Sequence, residues 1–168
     1  SRSDDVNKSG ILQTKDGTIN IQGDNSVGVS ILNTIQEVKV DGTINIGTKE
    51  SVGMYAENNT GNLADVDLHN AGTIEINNAG SAGIYAPKTT VLEVGKINLK
   101  NTKDSDGSSA VYVSEGGIVA DTSTAEINLG TVNQNRVAYY VNGANSVLRG
   151  GKNDSIGKIQ GYGVGVYL

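Results

Sequence analysis

The chain has 168 residues, with 13 Lys and Arg against 18 Asp and Glu for a net charge of −5. Gly at 23 and Asn at 19 together supply a quarter of it, Val and Ile number 33 against 9 Leu, Pro occurs once, and Phe, Trp and Cys never occur. Helical bundles, disulfide scaffolds, thiolate zinc sites and cysteine nucleophiles are thereby excluded, and the acidic balance without a basic cluster excludes nucleic acid as a partner.

In chain order, a strand is predicted at Gly17–Ile21, with Ile19 and Ile21 on one face and Thr18 and Asn20 on the other. A second follows at Ser26–Ser30, with Val27, Val29 and Ile31 facing inward. A third, looser strand carries Val38 and Val40. The set then repeats. The first signature returns at Gly42–Ile46, Gly72–Ile76, Gly95–Leu99, Ala125–Leu129 and, degraded, at Gly157–Gly161. The second returns at Ser51–Tyr55, Ser81–Tyr85, Ser108–Tyr112, Arg136–Tyr140 and Gly163–Tyr167. Alternation places Val52, Met54 and Ala56, and likewise Ala82, Ile84 and Ala86, inside. The later copies put Ser109, Val111 and Val113, Val137, Tyr139 and Val141, and Val164, Val166 and Leu168 at those positions. The third strand is traced by Ala64, Val66 and Leu68, by Leu92 and Val94, and by Val119 and Val147.

The second signature starts at 26, 51, 81, 108, 136 and 163, a mean period of about 27 residues. Three short strands per period cannot bury a face alone, so successive copies must stack. Stacked parallel coils set equivalent residues ~4.8 Å apart along the axis, which explains why like residues recur at like positions. A propeller blade needs four strands and about 40 residues. The predicted fold is all-β, a three-sided parallel β-helix of five to six coils with right-handed winding. It is a single unit over residues 1–168, with coils starting near 17, 42, 72, 95, 125 and 157.

The paired signatures, Gly-Thr-Ile-Asn/Glu-Ile followed by Ser-Val/Ala-Gly-Met/Ile-Tyr, resemble the passenger repeats of the very large type V autotransporter adhesins of Gram-negative bacteria, most closely those of fusobacteria, over roughly residues 10 to 168. The resemblance implies a rod on the bacterial cell surface that attaches to a protein or glycan of host cells or other bacteria. Contact with the membrane would run only through a separate C-terminal β-barrel. The chain shows neither a signal peptide nor such a barrel and stops in mid-coil, so it is expected to be a monomeric segment of a longer passenger.

Candidate site residues lie where the coils carry an outward feature or depart from the repeat. Tyr55, Tyr85, Tyr112, Tyr140 and Tyr167 close successive second signatures and are predicted to form an outward ladder, a surface for a glycan or a protein groove. A longer fourth loop holds Lys103, Asp104 and Asp106. Its Asp-Ser-Asp-Gly matches part of a calcium loop but lacks a third carboxylate and the distal Glu, so an ordinary charged turn is expected, open to partner contact. The runs Glu57 to Leu63 and Asn142 to Ser155 read as protruding turns. Asp65 and Asp67 share a strand face without a second acidic pair, and His69, the lone histidine, reads as an exposed turn residue. No enzyme, metal site or cofactor is expected from these residues.

Overall fold

The computed structural model describes residues 12–14, 16–32, 36–59, 66–100, 107–131, 135–151 and 155–168. The first coil contributes β1 (Leu12–Thr14), β2 (Thr18–Ile21) and β3 (Val27–Leu32), and the second β4 (Gln36–Val40), β5 (Thr43–Ile46) and β6 (Val52–Glu57). The third holds β7 (Val66–Asn70), β8 (Thr73–Ile76) and β9 (Ala82–Pro87), and the fourth β10 (Thr90–Glu93), β11 (Lys96–Leu99) and β12 (Ser109–Ser114). They are followed by β13 (Ile118–Val119), β14 (Glu126–Asn128) and β15 (Val137–Asn142), then by β16 (Val147–Leu148), β17 (Lys158–Gln160) and β18 (Val164–Tyr167).

Every third strand joins the same sheet. The result is three six-stranded sheets, ordered β1-β4-β7-β10-β13-β16, β2-β5-β8-β11-β14-β17 and β3-β6-β9-β12-β15-β18. Neighbouring strands are parallel and in register: Ile19 pairs with Ile44, Ile44 with Ile74, Ile74 with Ile97 and Ile97 with Ile127. This is the three-sided parallel β-helix expected from the repeat. Its core is the space between the sheets, filled by stacked apolar columns such as Val29, Met54, Ile84, Val111 and Tyr139. Tyr139 is fully buried, with its phenol donating to the Ile156 carbonyl at 3.5 Å.

Simple alternation fails at the entry to the third sheet. Val27 and Val164 are exposed, and Val52, Ser109 and Val137 half-buried, although all five were expected inside. The residue after each turns inward instead: Ala110 and Ala138 are fully buried, and Gly28, Gly53 and Gly83 take this place in the first three coils. The cause is the corner, where sheets two and three converge. A Cβ on Gly53 would come within 2.6 Å of the Gly83 carbonyl oxygen and 3.3 Å of Ile74 Cγ2. Gly53 has no room even for a methyl, and the later coils carry nothing larger than Ala110 and Ala138 there, so the larger residue before each is turned out.

Four other expectations change. Leu92 is half-buried while Val91 is fully buried, because the pairing of β10 with β7 slips between Val91 and Glu93. That slip is a β-bulge, which lets Val94 return to the core. Leu168 follows the edge strand β18 and is 87% exposed. His69 lies within β7 rather than in a turn, pairing across the sheet with Lys39 and Glu93. Within 142–155, expected to protrude, β16 pairs with β13 and extends sheet one.

The corners repeat as strictly as the strands. Between sheets two and three the left-handed residue is Asn25, Glu50, Gly80 and Gly107 in successive coils. Beside it runs a serine column in which Ser26 N–H donates to Ser51 Oγ at 3.2 Å, Ser51 N–H to Ser81 Oγ at 3.2 Å and Ser81 N–H to Ser108 Oγ at 3.1 Å. In the fifth coil Arg136 replaces the serine. Its buried guanidinium donates to the Leu129 carbonyl at 2.5 Å and the Lys100 carbonyl at 3.0 Å.

Candidate functional site

The strand register brings the predicted tyrosines together. Ser30 pairs with Tyr55, Tyr55 with Tyr85, Tyr85 with Tyr112, Tyr112 with Tyr140 and Tyr140 with Tyr167. Each sits between two inward residues, as Tyr85 does between Ile84 and Ala86, so the phenol stands on the outer face of sheet three. Tyr55, Tyr85, Tyr112 and Tyr140 are half-buried, and Tyr167 is 50% exposed.

Ring geometry follows from the strand spacing. Successive rings in this column, one strand apart, lie too far apart for tight face contact, so each pair slips or tilts. Tyr55 and Tyr85 meet edge to face at 5.4 Å and 67°, and Tyr85 and Tyr112 stack at 4.7 Å and 14°. Tyr112 and Tyr140 again meet edge to face at 4.8 Å and 74°, and Tyr140 and Tyr167 stack at 4.8 Å and 13°. The ladder therefore alternates edge-to-face and stacked contacts along one line.

A polar network closes its N-terminal end. The Tyr55 phenol donates to Glu57 Oε2 at 2.6 Å, and Asn59 Nδ2 donates to Glu57 Oε1 at 2.8 Å. Lys88 Nζ donates to Asn59 Oδ1 at 2.9 Å and pairs with Glu115 Oε2 at 3.1 Å. Burial, then the Glu57 carboxylate, pushes the Tyr55 phenol up. Hydrogen bonds from Tyr55 and then Asn59 hold the Glu57 carboxyl below the usual carboxylate range. Sequence reading missed this network, although Lys88 and Glu115 hold equivalent corner positions, both at φ 53°. Further along, Asn142 Nδ2 donates to the Tyr112 phenol at 3.4 Å.

Lys103, Asp104 and Asp106 lie outside the described residues, as does Asp65. Asp67 stands in β7, paired through its backbone with Glu37 and Thr90. His69 Nδ1 is 3.6 Å from Glu93 Oε2. Among the described residues no three His, Asp or Glu side chains gather closely enough to share a metal ion.

Sheet two presents a second outward pattern, an amide column. Asn45 Nδ2 donates to Asn20 Oδ1 at 2.9 Å and Asn98 Nδ2 to Glu75 Oε1 at 2.8 Å. At its C-terminal end a depression of about 250 Å³ is lined by Lys96, Asn98, Glu126, Asn128, Lys158 and Gln160, among others.

Comparison with protein families gives a match to this chain. Residues 4–124 match the family described as the BigA third pectate lyase-like domain. The chain belongs to this family. The matched span of the BigA third pectate lyase-like domain runs from β1 through β13 and takes in Tyr55, Tyr85 and Tyr112. No curated protein and no solved structure matches the chain.

Proposed function

We propose that this β-helix is a rod of a bacterial surface protein that serves attachment rather than catalysis, with the tyrosine ladder of sheet three as its contact surface. The observation that carries this reading is the ladder itself: five rings in one register column, four of them half-buried and one half-exposed, in mutual contact at 4.7 to 5.4 Å. Aromatic side chains held this way lose little further entropy on binding and combine flat apolar area with a polar tip. Membership of the BigA third pectate lyase-like family and the likeness of the repeats to autotransporter passengers both support a bacterial surface setting. The partner is a protein or glycan of a host-cell or bacterial surface.

Two other readings make different predictions. A spacer uses the same coils only to hold other parts of a protein away from the membrane. A polysaccharide-processing enzyme is suggested by the words pectate lyase-like in the family's description. The labelled chain added to epithelial cells and to other bacteria separates the three. Saturable binding without breakdown of polysaccharide is the expected result. Binding that rises linearly without saturation would mean a spacer, and release of shortened saccharides from a polysaccharide panel would mean an enzyme.

A further inference from the structure

The outer column beside the tyrosines is not uniform. Val52 pairs with Ala82, Ala82 with Ser109 and Ser109 with Val137, so two small residues interrupt a line of valines that starts at Val27. The neighbouring corner column changes in the same two coils, from Asn25 and Glu50 to Gly80 and Gly107. Side chains are thus missing from two adjacent columns at once. The result is a groove of about 270 Å³ lined by Gly80, Ser81, Ala82, Gly107, Ser109, Tyr112 and Tyr140. Small residues make its floor, and Tyr112 and Tyr140 make its wall.

The groove departs from the repeat, which the ladder does not. A scaffold role accounts for tyrosines in five coils but not for the loss of bulk in coils three and four alone. Its volume falls just under the ~300 Å³ at which pockets for drug-sized ligands begin, so it suits one ring rather than an extended chain. Among the described residues the lining holds no Asp, Glu, Lys, Arg or His, and the groups it offers a ligand are hydroxyls, backbone and rings. Serine and tyrosine hydroxyls supply hydrogen bonds that can donate or accept, and the tyrosine rings supply apolar faces.

We infer that this groove is a subsite for a single neutral sugar ring, a pyranose laying its apolar C–H face against Tyr112 or Tyr140 while its hydroxyls meet Ser109 and the phenols. This rests on the attachment reading of the ladder and names the class of ligand that one part of it takes.

The test fills the groove without touching a tyrosine. An Ala82→Val, Ser109→Val variant restores the residue that Val52 and Val137 show these columns accept, and Gly107→Asn restores the corner residue found at Asn25. Methyl glycosides of neutral hexoses, and of glucuronic and sialic acids as charged controls, are titrated into the full chain by NMR with tyrosine rings labelled. Neutral glycosides should shift the Tyr112 and Tyr140 signals, and both filled variants should lose at least about tenfold in affinity, the scale set by steric fit in a shaped pocket. Neutral glycosides that bind the filled variants as well as the original chain, preference for the charged sugars, or no shift with any neutral glycoside would each overturn the inference. Cell attachment measured on the same proteins keeps the two claims apart. If attachment survives filling while glycoside binding is unaffected, the subsite fails and the attachment reading stands; if the original chain attaches to no cell, the attachment reading fails whatever the glycosides do.

Discussion

Gly72→Ala tests how closely the coils are stacked. A Cβ at Gly72 would overlap the carbonyl oxygen of Gly42 and lie 2.7 Å from the Asp41 carbonyl carbon. That oxygen already accepts the Thr73 N–H at 3.0 Å, and the Gly72 N–H donates to Val40 at 3.0 Å. Making room means lifting the third coil off the second and stretching both bonds, at ~1 kcal/mol each. Adding overpacking strain of ~1–3 kcal/mol gives a loss of about 3–5 kcal/mol, or roughly 6–20 °C in Tm for a chain of this length. Gly107→Ala is the control: no atom would lie within 4 Å of its Cβ, and only its φ of +75° opposes the change. That alone costs about 1 kcal/mol. The fifth coil carries Ala125 in the Gly72 column, but there the N–H turns onto Thr122 at 3.0 Å within its own coil. Thermal unfolding followed by circular dichroism should therefore rank Gly72→Ala well below Gly107→Ala. The reverse order, or an unchanged Tm for Gly72→Ala, would refute the stacking geometry.

Glu50 holds a left-handed corner at φ 52° where later coils use Gly80 and Gly107. Glu50→Gly should raise stability by ~0.5–1 kcal/mol, and a lower Tm would contradict that reading. Tyr85 touches two rings and Tyr167 one. Tyr85→Ser should thus cost ~1–3 kcal/mol and Tyr167→Ser about half as much in urea titrations; equal losses would mean that the rings do not stack in solution. Glu57 has its carboxyl pKa lowered by the Tyr55 and Asn59 hydrogen bonds, so the folded state holds its proton less tightly than the unfolded state. The stabilisation is present above the ordinary value near 4.5 and is lost as pH falls through the lowered one. Glu57→Gln should therefore flatten the acid side of the stability profile, and an identical acid branch in both proteins would remove Glu57 from the account.

Much of the fold is legible in the sequence because a solenoid writes each structural position several times. Ile19, Ile44, Ile74, Ile97 and Ile127 mark one column, and the five tyrosines mark another on the opposite side of their strands. What was misread is local and has a cause. Alternation assumes a straight strand, but the corner sets Gly53 and Gly83 against the isoleucines of sheet two and leaves Val27 exposed and Val137 half-buried. The slip at Val91 similarly hides one residue of period in a bulge. The Glu57, Lys88 and Glu115 network escapes sequence reading because its members lie in three different coils. The groove beside Tyr112 and Tyr140 left a readable trace, small residues at positions 80, 82, 107 and 109 where other coils carry bulk, but a search for shared residues passes over such losses.

The most direct measurement of the central claim is cell attachment by a Tyr85→Ser, Tyr112→Ser, Tyr140→Ser variant whose β-helix circular dichroism matches that of the unaltered chain. The account predicts saturable attachment by the unaltered chain and its loss in the variant. Saturable attachment of equal affinity by both would contradict it, moving the contact surface off the tyrosine ladder to another face of the rod.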